Sequence, residues 1–272
     1  MIKRLSIIVL ALLAVSCIKE DRTKCPCNLH VDLSRVDGDY VHKVDLMLRD
    51  VATQGNPWWY AVEKRYIGDT LIIEVNKSEF DFCAWGNLVR SLKDDRSQNI
   101  TPGSEPDSLW SCYRRIVTRC EDAYVTVEPE RQFIPVTIIV RGMLQGISGV
   151  KTSLKGISDC FDYTGNATGR ELTLVPQLVS GPDSAEGYYL FRTLLMTQPT
   201  SESAVLGLEF LRFDTKVSGV YPVGKMLLEA GEDISLRDQR PIVIELTIGS
   251  ADIQVAIKIN DWTTHGVFTI TY

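Results

Sequence analysis

Asn28-Leu29-His30-Val31-Asp32-Leu33-Ser34-Arg35-Val36 alternates in polarity. Leu29, Val31 and Leu33 fall on one side, and His30, Asp32 and Ser34 on the other. A period of two with one apolar face marks a half-buried β-strand, because successive side chains leave a pleated backbone on opposite sides. The pattern recurs at Val44-Asp45-Leu46-Met47-Leu48-Arg49-Asp50, Asp69-Thr70-Leu71-Ile72-Ile73-Glu74-Val75, Phe80-Asp81-Phe82-Cys83-Ala84-Trp85 and Ala123-Tyr124-Val125-Thr126-Val127. Gly55-Asn56-Pro57 and Gly86-Asn87 punctuate these runs, as turn residues do.

Glu128-Pro129-Glu130-Arg131 interrupts the series and sets a domain boundary, dividing residues 28–131 from residues 132–272. A second series follows: Ile134 to Val140, a glycine-rich turn from Gly142 to Gly149, then Val150 to Leu154, Arg170 to Val175, Tyr188 to Met196, Ala204 to Phe213, Pro241 to Ile248, Ile253 to Ile259 and Val267 to Tyr272. Short strands between turn signals, with no sustained helical period, specify an all-β chain of sandwich type. The polar stretch 91–111 is expected to be a long loop carrying a short helix near Leu109-Trp110. Loops of that length in compact domains are usually functional or mobile.

Outward from the first strand lies a different kind of sequence. Lys3 and Arg4 precede an apolar run from Leu5 to Val15, followed by Ser16-Cys17. A charged start, a short apolar core and a small residue before a cut describe an export signal, and the run is too short for a stable membrane-spanning helix of roughly 20 residues. The cysteine after Ser16 makes residues 1–16 resemble a bacterial lipoprotein signal, with Cys17 as the acylated first residue of the mature chain. Residues 17–27 then form a tether. Its charged part, Ile18-Lys19-Glu20-Asp21-Arg22-Thr23-Lys24, has little to bury.

Composition narrows the function. The 272 residues are 44% apolar and 24% charged, which are ordinary globular values. The net charge of −6 without a basic run argues against nucleic acid, whose phosphates must be neutralised by Lys and Arg. Seven cysteines are present. With Cys17 given to lipid, Cys25, Cys27, Cys83, Cys112, Cys120 and Cys160 are possible disulfide partners, since an even count in an exported protein permits bridges. Cys25-Pro26-Cys27 is too tight for an easy internal bridge and lacks zinc-site spacing. Its thiols are expected to pair at a distance and pin the tether to the first domain. The pairing, and the option that the thiols stay free, are open at this point.

No catalytic pattern emerges. The three histidines, His30, His42 and His265, have no metal-site spacing, and Gly-x-Ser-x-Gly is absent. The glycines between Gly142 and Gly149 lack the Lys-Ser/Thr of a phosphate loop. No metal, cofactor or enzymatic activity is expected. Trp58-Trp59-Tyr60 reads either as a sugar-stacking platform or as alternate aromatics on an edge strand. Asp69-Thr70-Leu71, Asp107-Ser108-Leu109 and Asp183-Ser184-Ala185 resemble the O-glycosylation pattern of exported Bacteroidia proteins.

Four stretches together carry a family resemblance: the head from Cys17 through Cys25-Pro26-Cys27 to Leu33; Val44-Asp45-Leu46-Met47-Leu48; Ala84-Trp85-Gly86-Asn87; and Ile257-Lys258-Ile259-Asn260-Asp261-Trp262. In order and spacing the chain is similar to the FimB-type fimbrial anchor lipoproteins of Bacteroidia, relatives of the minor-fimbria anchor. The resemblance implies two transthyretin-like β-sandwiches in series after the signal and tether. It also implies an outer-membrane, cell-surface subunit, lipid-held, which attaches a fimbrium and limits its growth, with fimbrial shaft or accessory subunits as partners. Related shaft subunits polymerise by strand exchange, whereas an anchor keeps its first strand, here Leu29 to Val36. The strand Val267, Phe268, Thr269, Ile270, Thr271 and Tyr272 is the expected donor or docking element. A plain closing strand is the competing reading. At the level of the whole protein the competing functions are a fimbrial tip adhesin and a surface glycan-binding lipoprotein.

Overall fold

Four β-sheets pair into two sandwiches in the computed structural model, which describes residues 25–88, 97–99, 108–162, 164–183, 187–198, 200, 202–236, 240–250, 252–259 and 262–269. The first half supplies β1 (Cys27–Asp32), β2 (Val44–Asp50), β3 (Trp58–Val62), β4 (Thr70–Val75), β5 (Glu79–Gly86), β6 (Ser97–Asn99), β7 (Trp110–Val117), β8 (Asp122–Thr126) and β9 (Glu130–Arg131). A three-stranded sheet in the order β4-β1-β8 faces a five-stranded sheet in the order β3-β2-β5-β7-β9. Between them lies a core that includes Leu29, Val31, Ile73, Leu46, Phe80 and Phe82. Alternation dictates this directly: the residues that share the apolar side of each strand are the ones that meet.

The second half supplies β10 (Phe133–Gly142), β11 (Ile147–Asp162), β12 (Ala167–Leu174), β13 (Gln177–Ser180), β14 (Tyr189–Met196), β15 (Val205–Arg212), β16 (Thr215–Tyr221), helix α1 (Val223–Glu229), β17 (Ile242–Ile248), β18 (Asp252–Ile259) and β19 (Trp262–Thr269). A six-stranded sheet runs β13-β14-β10-β17-β18-β19, and a second sheet runs β12-β11-β15-β16. Ile138, Val140, Leu206, Leu208, Phe210 and Leu246 fill the space between them. The chain is thus all-β, two transthyretin-like sandwiches in series.

The two cores are not sealed from each other. Met47, Cys83, Trp85, Leu88 and Leu109 belong to the same buried cluster as the second sandwich. Met47, Cys83 and Trp85 come from the outward face of the five-stranded sheet, and Leu88 and Leu109 from the segments just after β5 and just before β7, so that sheet is buried on both faces over part of its width. A second tie is β6, which comes from the 91–111 stretch yet pairs antiparallel with β11, placing Cys160 opposite Asn99 and Asp162 opposite Ser97.

Three sequence expectations need correction. The short helix near Leu109-Trp110 is absent: Leu109 is fully buried, its carbonyl accepts from the Gln132 amide at 2.9 Å, and Trp110 opens β7. Leu109, Cys112 and Ile116 are buried, but Tyr113-Arg114-Arg115 breaks the period, so the strand does not announce itself. The glycine-rich turn is shorter than Gly142 to Gly149, because β11 begins at Ile147. Gly149, at φ +62°, is a residue within that strand. The expected strand Val150–Leu154 is therefore a fragment of a 16-residue one. Its pairing shifts between Ser148 and Lys151 against β15, and between Leu154 and Ile157 against β12. These bulges interrupt the alternation that a sequence reading relies on.

Candidate docking surfaces

The described chain enters the first sandwich at β1, two residues after Cys25. Cys17 and residues 18–24 lie outside the described residues. β1 runs through the middle of its sheet, antiparallel to β4 from Cys27 opposite Val75 to Asp32 opposite Thr70. On the other side it is parallel to β8 from Asn28 opposite Asp122 to Asp32 opposite Thr126. Leu29, Val31 and Leu33 are fully buried. The first strand therefore fills its own place, with both hydrogen-bonding edges used.

Six cysteines are described, and no disulfide joins any of them. Cys25 and Cys120 are exposed, and Cys27 is fully buried. Burial pushes the Cys27 thiol up, and the Asp122 carboxylate and the Cys120 thiol add to that rise. Cys83 and Cys112 sit on adjacent strands one register step apart, since Ala84 is opposite Cys112. Their side chains therefore enter different cores. Cys160 is in the second sandwich, its Sγ 3.2 Å from Thr168 Oγ1.

The outer face of the three-stranded sheet carries a polar–aromatic row. His30 Nε2 lies 3.0 Å from Asp122 Oδ1, and its ring stacks on Tyr124 at 4.6 Å. The His30 hydrogen bond holds the Asp122 carboxyl below its ordinary range. Ile72 and Tyr124 flank His30 across the strands and are 59% and 74% exposed. Of the other histidines, His42 is exposed and His265 lies in β19. Among the described residues, no cluster of His, Cys, Asp and Glu could hold a metal ion.

The aromatic triplet resolves as an edge strand. Trp58-Trp59-Tyr60 opens β3 at the margin of the five-stranded sheet. Trp58 is 40% exposed and tilts against Phe80 at 5.7 Å. Trp59 packs on the larger core and Tyr60 on the smaller one. The three rings therefore divide between two faces and make no continuous flat platform.

At the far end, Val267, Phe268 and Thr269 belong to β19, where they pair with Gln254, Ile253 and Asp252 of β18. Ile270, Thr271 and Tyr272 lie outside the described residues. β19 is the last strand of the six-stranded sheet among the described residues. The opposite margin is β13, where Leu178 and Val179 are more than half exposed. Sequence reading passed over β13. The signal was the short apolar pair between Pro176 and Gly181, too brief to count as a period. Among the described residues, no helix is long and apolar enough to cross a membrane.

Comparison with known proteins follows the same lines. The family model for fimbrillin-A associated anchor proteins Mfa1 and Mfa2 matches residues 24–267. No curated protein matches the chain by sequence. Among solved structures, the chain is similar to the fimbrial anchor protein Mfa2 from Porphyromonas gingivalis (12% identity, TM-score 0.59), covering 89% of this chain and 100% of that one. It is also similar to a proposed adhesin from Bacteroides ovatus (12% identity, TM-score 0.62, 89% and 96% covered). A third is a proposed polysaccharide-binding protein of the DUF1812 group from Bacteroides thetaiotaomicron (13% identity, TM-score 0.61, 88% and 98% covered). At these identities the structural likeness speaks for the fold.

Proposed function

The chain belongs to the family of fimbrillin-A associated anchor proteins, and from that membership we propose that it is the lipid-held outer-membrane subunit that fixes a surface fimbrium to the cell and ends its growth. Cys17 carries the acyl chains. Each buried CH₂ contributes about 0.8 kcal/mol, so more than one chain gives stable anchoring. Residues 18–26 serve as the tether between Cys17 and β1. Fimbrial subunits dock by strand addition, in which backbone hydrogen bonds supply affinity and alternate side chains fill pockets.

The observation that carries this reading is the position of β1. A subunit that must accept a neighbour's strand in place of its own first strand needs an empty groove. Here β1 is paired on both sides, with Leu29 and Val31 fully buried. Nothing is left to be filled at that position, which is what a terminator requires. Docking then falls to another edge, and the C-terminal segment Val267–Tyr272, whose first three residues belong to β19 at the margin of the six-stranded sheet among the described residues, is our choice.

The test is deletion of Val267–Tyr272 in an otherwise intact chain. Co-purification of fimbrial subunits from the outer-membrane fraction should be lost, while the melting transition of the first sandwich stays in place. Retained co-purification would sink the docking assignment.

A further inference from the structure

We propose that Cys27 and Cys120 form a disulfide in the exported protein, and that the bridge locks β1 into its sheet at the end where the tether enters. The compartment rests on the proposed export; the pairing rests on the strand register alone.

The register brings the two residues together. β1 and β8 are parallel neighbours with Asn28 opposite Asp122, and the Asn28 amide donates to the Glu121 carbonyl at 2.8 Å. Continuing both chains backwards sets Cys27 beside Glu121, one residue from Cys120. Cys120 and Glu121 lie in the bend before β8, so the strand alternation that sends Cys83 and Cys112 into different cores does not set the direction of the Cys120 side chain. On spacings of about 4.8 Å between neighbouring chains and about 3.3 Å per residue, the Cα separation is about 6 Å, inside the range a disulfide spans. That the two thiols sense each other's charge agrees with this nearness.

The other cysteines are poorer partners. Cys83 belongs to the other core; Cys112 shares the core of Cys27 but sits on the facing sheet, and sheets packed face to face are about 10 Å apart, beyond disulfide reach; Cys160 is in the second sandwich. Cys25 precedes β1 and is separated from Cys27 by Pro26, which has no N–H to extend the ladder.

The chemistry balances with an exported dithiol oxidant that carries its own disulfide. Cys120 is exposed and reacts first. Its thiol gives up a proton, its thiolate attacks one sulfur of the oxidant, and the oxidant's other sulfur leaves as a thiolate and is protonated. Cys27 then loses its proton, attacks Cys120 Sγ in the mixed disulfide, and expels the oxidant's remaining sulfur, which is protonated in turn. The protein loses two electrons and two protons, and the oxidant's disulfide becomes two thiols. Burial of Cys27 disfavours its thiolate, which suits it to the second, intramolecular step.

The mechanical consequence follows from topology. Load applied at Cys17 travels along the tether to Cys27. Without a bridge it falls on the hydrogen-bonded ladders that hold β1 between β4 and β8. With the bridge it passes at Cys27 into the loop that precedes β8, and β1 is bypassed.

The test uses the full chain in two preparations, each alkylated with a thiol trap, digested without reduction and mapped by mass spectrometry. One is protein taken from the membrane fraction of cells; the other is purified protein equilibrated with oxidised and reduced glutathione. Both should contain a peptide joining Cys27 to Cys120, with Cys25 alkylated. In the glutathione preparation the first sandwich should melt at least about 5 °C higher than in a Cys120→Ser variant, as a long closed loop predicts, and dithiothreitol should abolish the difference. Alkylated Cys27 in the glutathione preparation, or a Cys25–Cys120 link, overturns the pairing. A bridge formed in glutathione but missing from membrane-derived protein overturns the proposal on the side of the compartment and leaves the geometry standing. That outcome separates failure of the export reading from failure of the register argument.

Discussion

Asp81 shows how single residues hold the shared sheet together. It is buried on β5 and accepts from Tyr113 Oη at 2.7 Å and from Arg115 Nε at 2.9 Å. The bond to Asp81, aided by Tyr113, keeps the Arg115 guanidinium protonated well above its ordinary range. Arg115 is about half exposed, so solvent screens the ion pair, and the bond from the uncharged Tyr113 hydroxyl to the carboxylate is the cleaner contributor. Tyr113→Phe should lower stability by about 1.5–3 kcal/mol, the range for hydrogen bonds to charged groups, read as a lower denaturant midpoint with an unchanged slope. Tyr221 offers a pH test in the second sandwich. Burial pushes its phenol up to about 12, against about 10 in an unfolded chain. Below pH 10 both states are protonated and the contribution is intact. Between pH 10 and 12 the unfolded chain releases the proton and the folded one does not, so stability falls as pH rises. A Tyr221→Phe variant should lose less stability across that window in denaturant titrations at pH 9.5 and 11.5.

Among the elements, β11 is where the strands of the second sandwich are most exacting. Gly156 has φ +75° at the shift between Leu154 and Ile157, and a Cβ there would run into the Ser203 carbonyl. Both the backbone angle and the close approach demand glycine. Gly156→Ala should cost roughly 1–3 kcal/mol, seen as a lower melting point. These same features mark the limit of what sequence discloses. β1, β2, β4 and β5 were legible because Leu29-Val31-Leu33 and its counterparts keep an unbroken period against one core. β7 was not, because exposed Arg114 interrupts the buried Cys112–Ile116 face and Tyr113, on the other face, is a polar residue packed against the second core. β11 was seen only as Val150–Leu154, because Gly149 and Gly156 reset its alternation. β6 had no signal at all, as Ser97-Gln98-Asn99 is a polar triplet that becomes a strand only because β11 offers an edge. Of the candidate surfaces, the first strand was readable from its apolar face. The approach of Cys27 to Cys120 depends on a parallel pairing that no sequence spacing discloses.

The whole molecule behaves as two sandwiches with one shared wall. Met47, Cys83 and Trp85 turn away from the first core and belong to the second, so residues 28–131 taken alone would present an apolar face to water. That fragment should aggregate or bind a hydrophobic dye strongly, and the full chain should do neither; a well-behaved monomeric fragment would mean the shared wall matters little. A continuous body of this kind suits a part that carries load between membrane and filament. The most direct measurement is the distribution of fimbrial protein between cell pellet and medium in three strains: wild type, a gene deletion and Cys17→Ala. Long filaments shed into the medium from both altered strains, with the wild type retaining short filaments on the cell, is the expected result for a lipid-held anchor that ends growth. Filaments still attached to the cells in both, with adherence lost, would contradict it and place the protein at the tip.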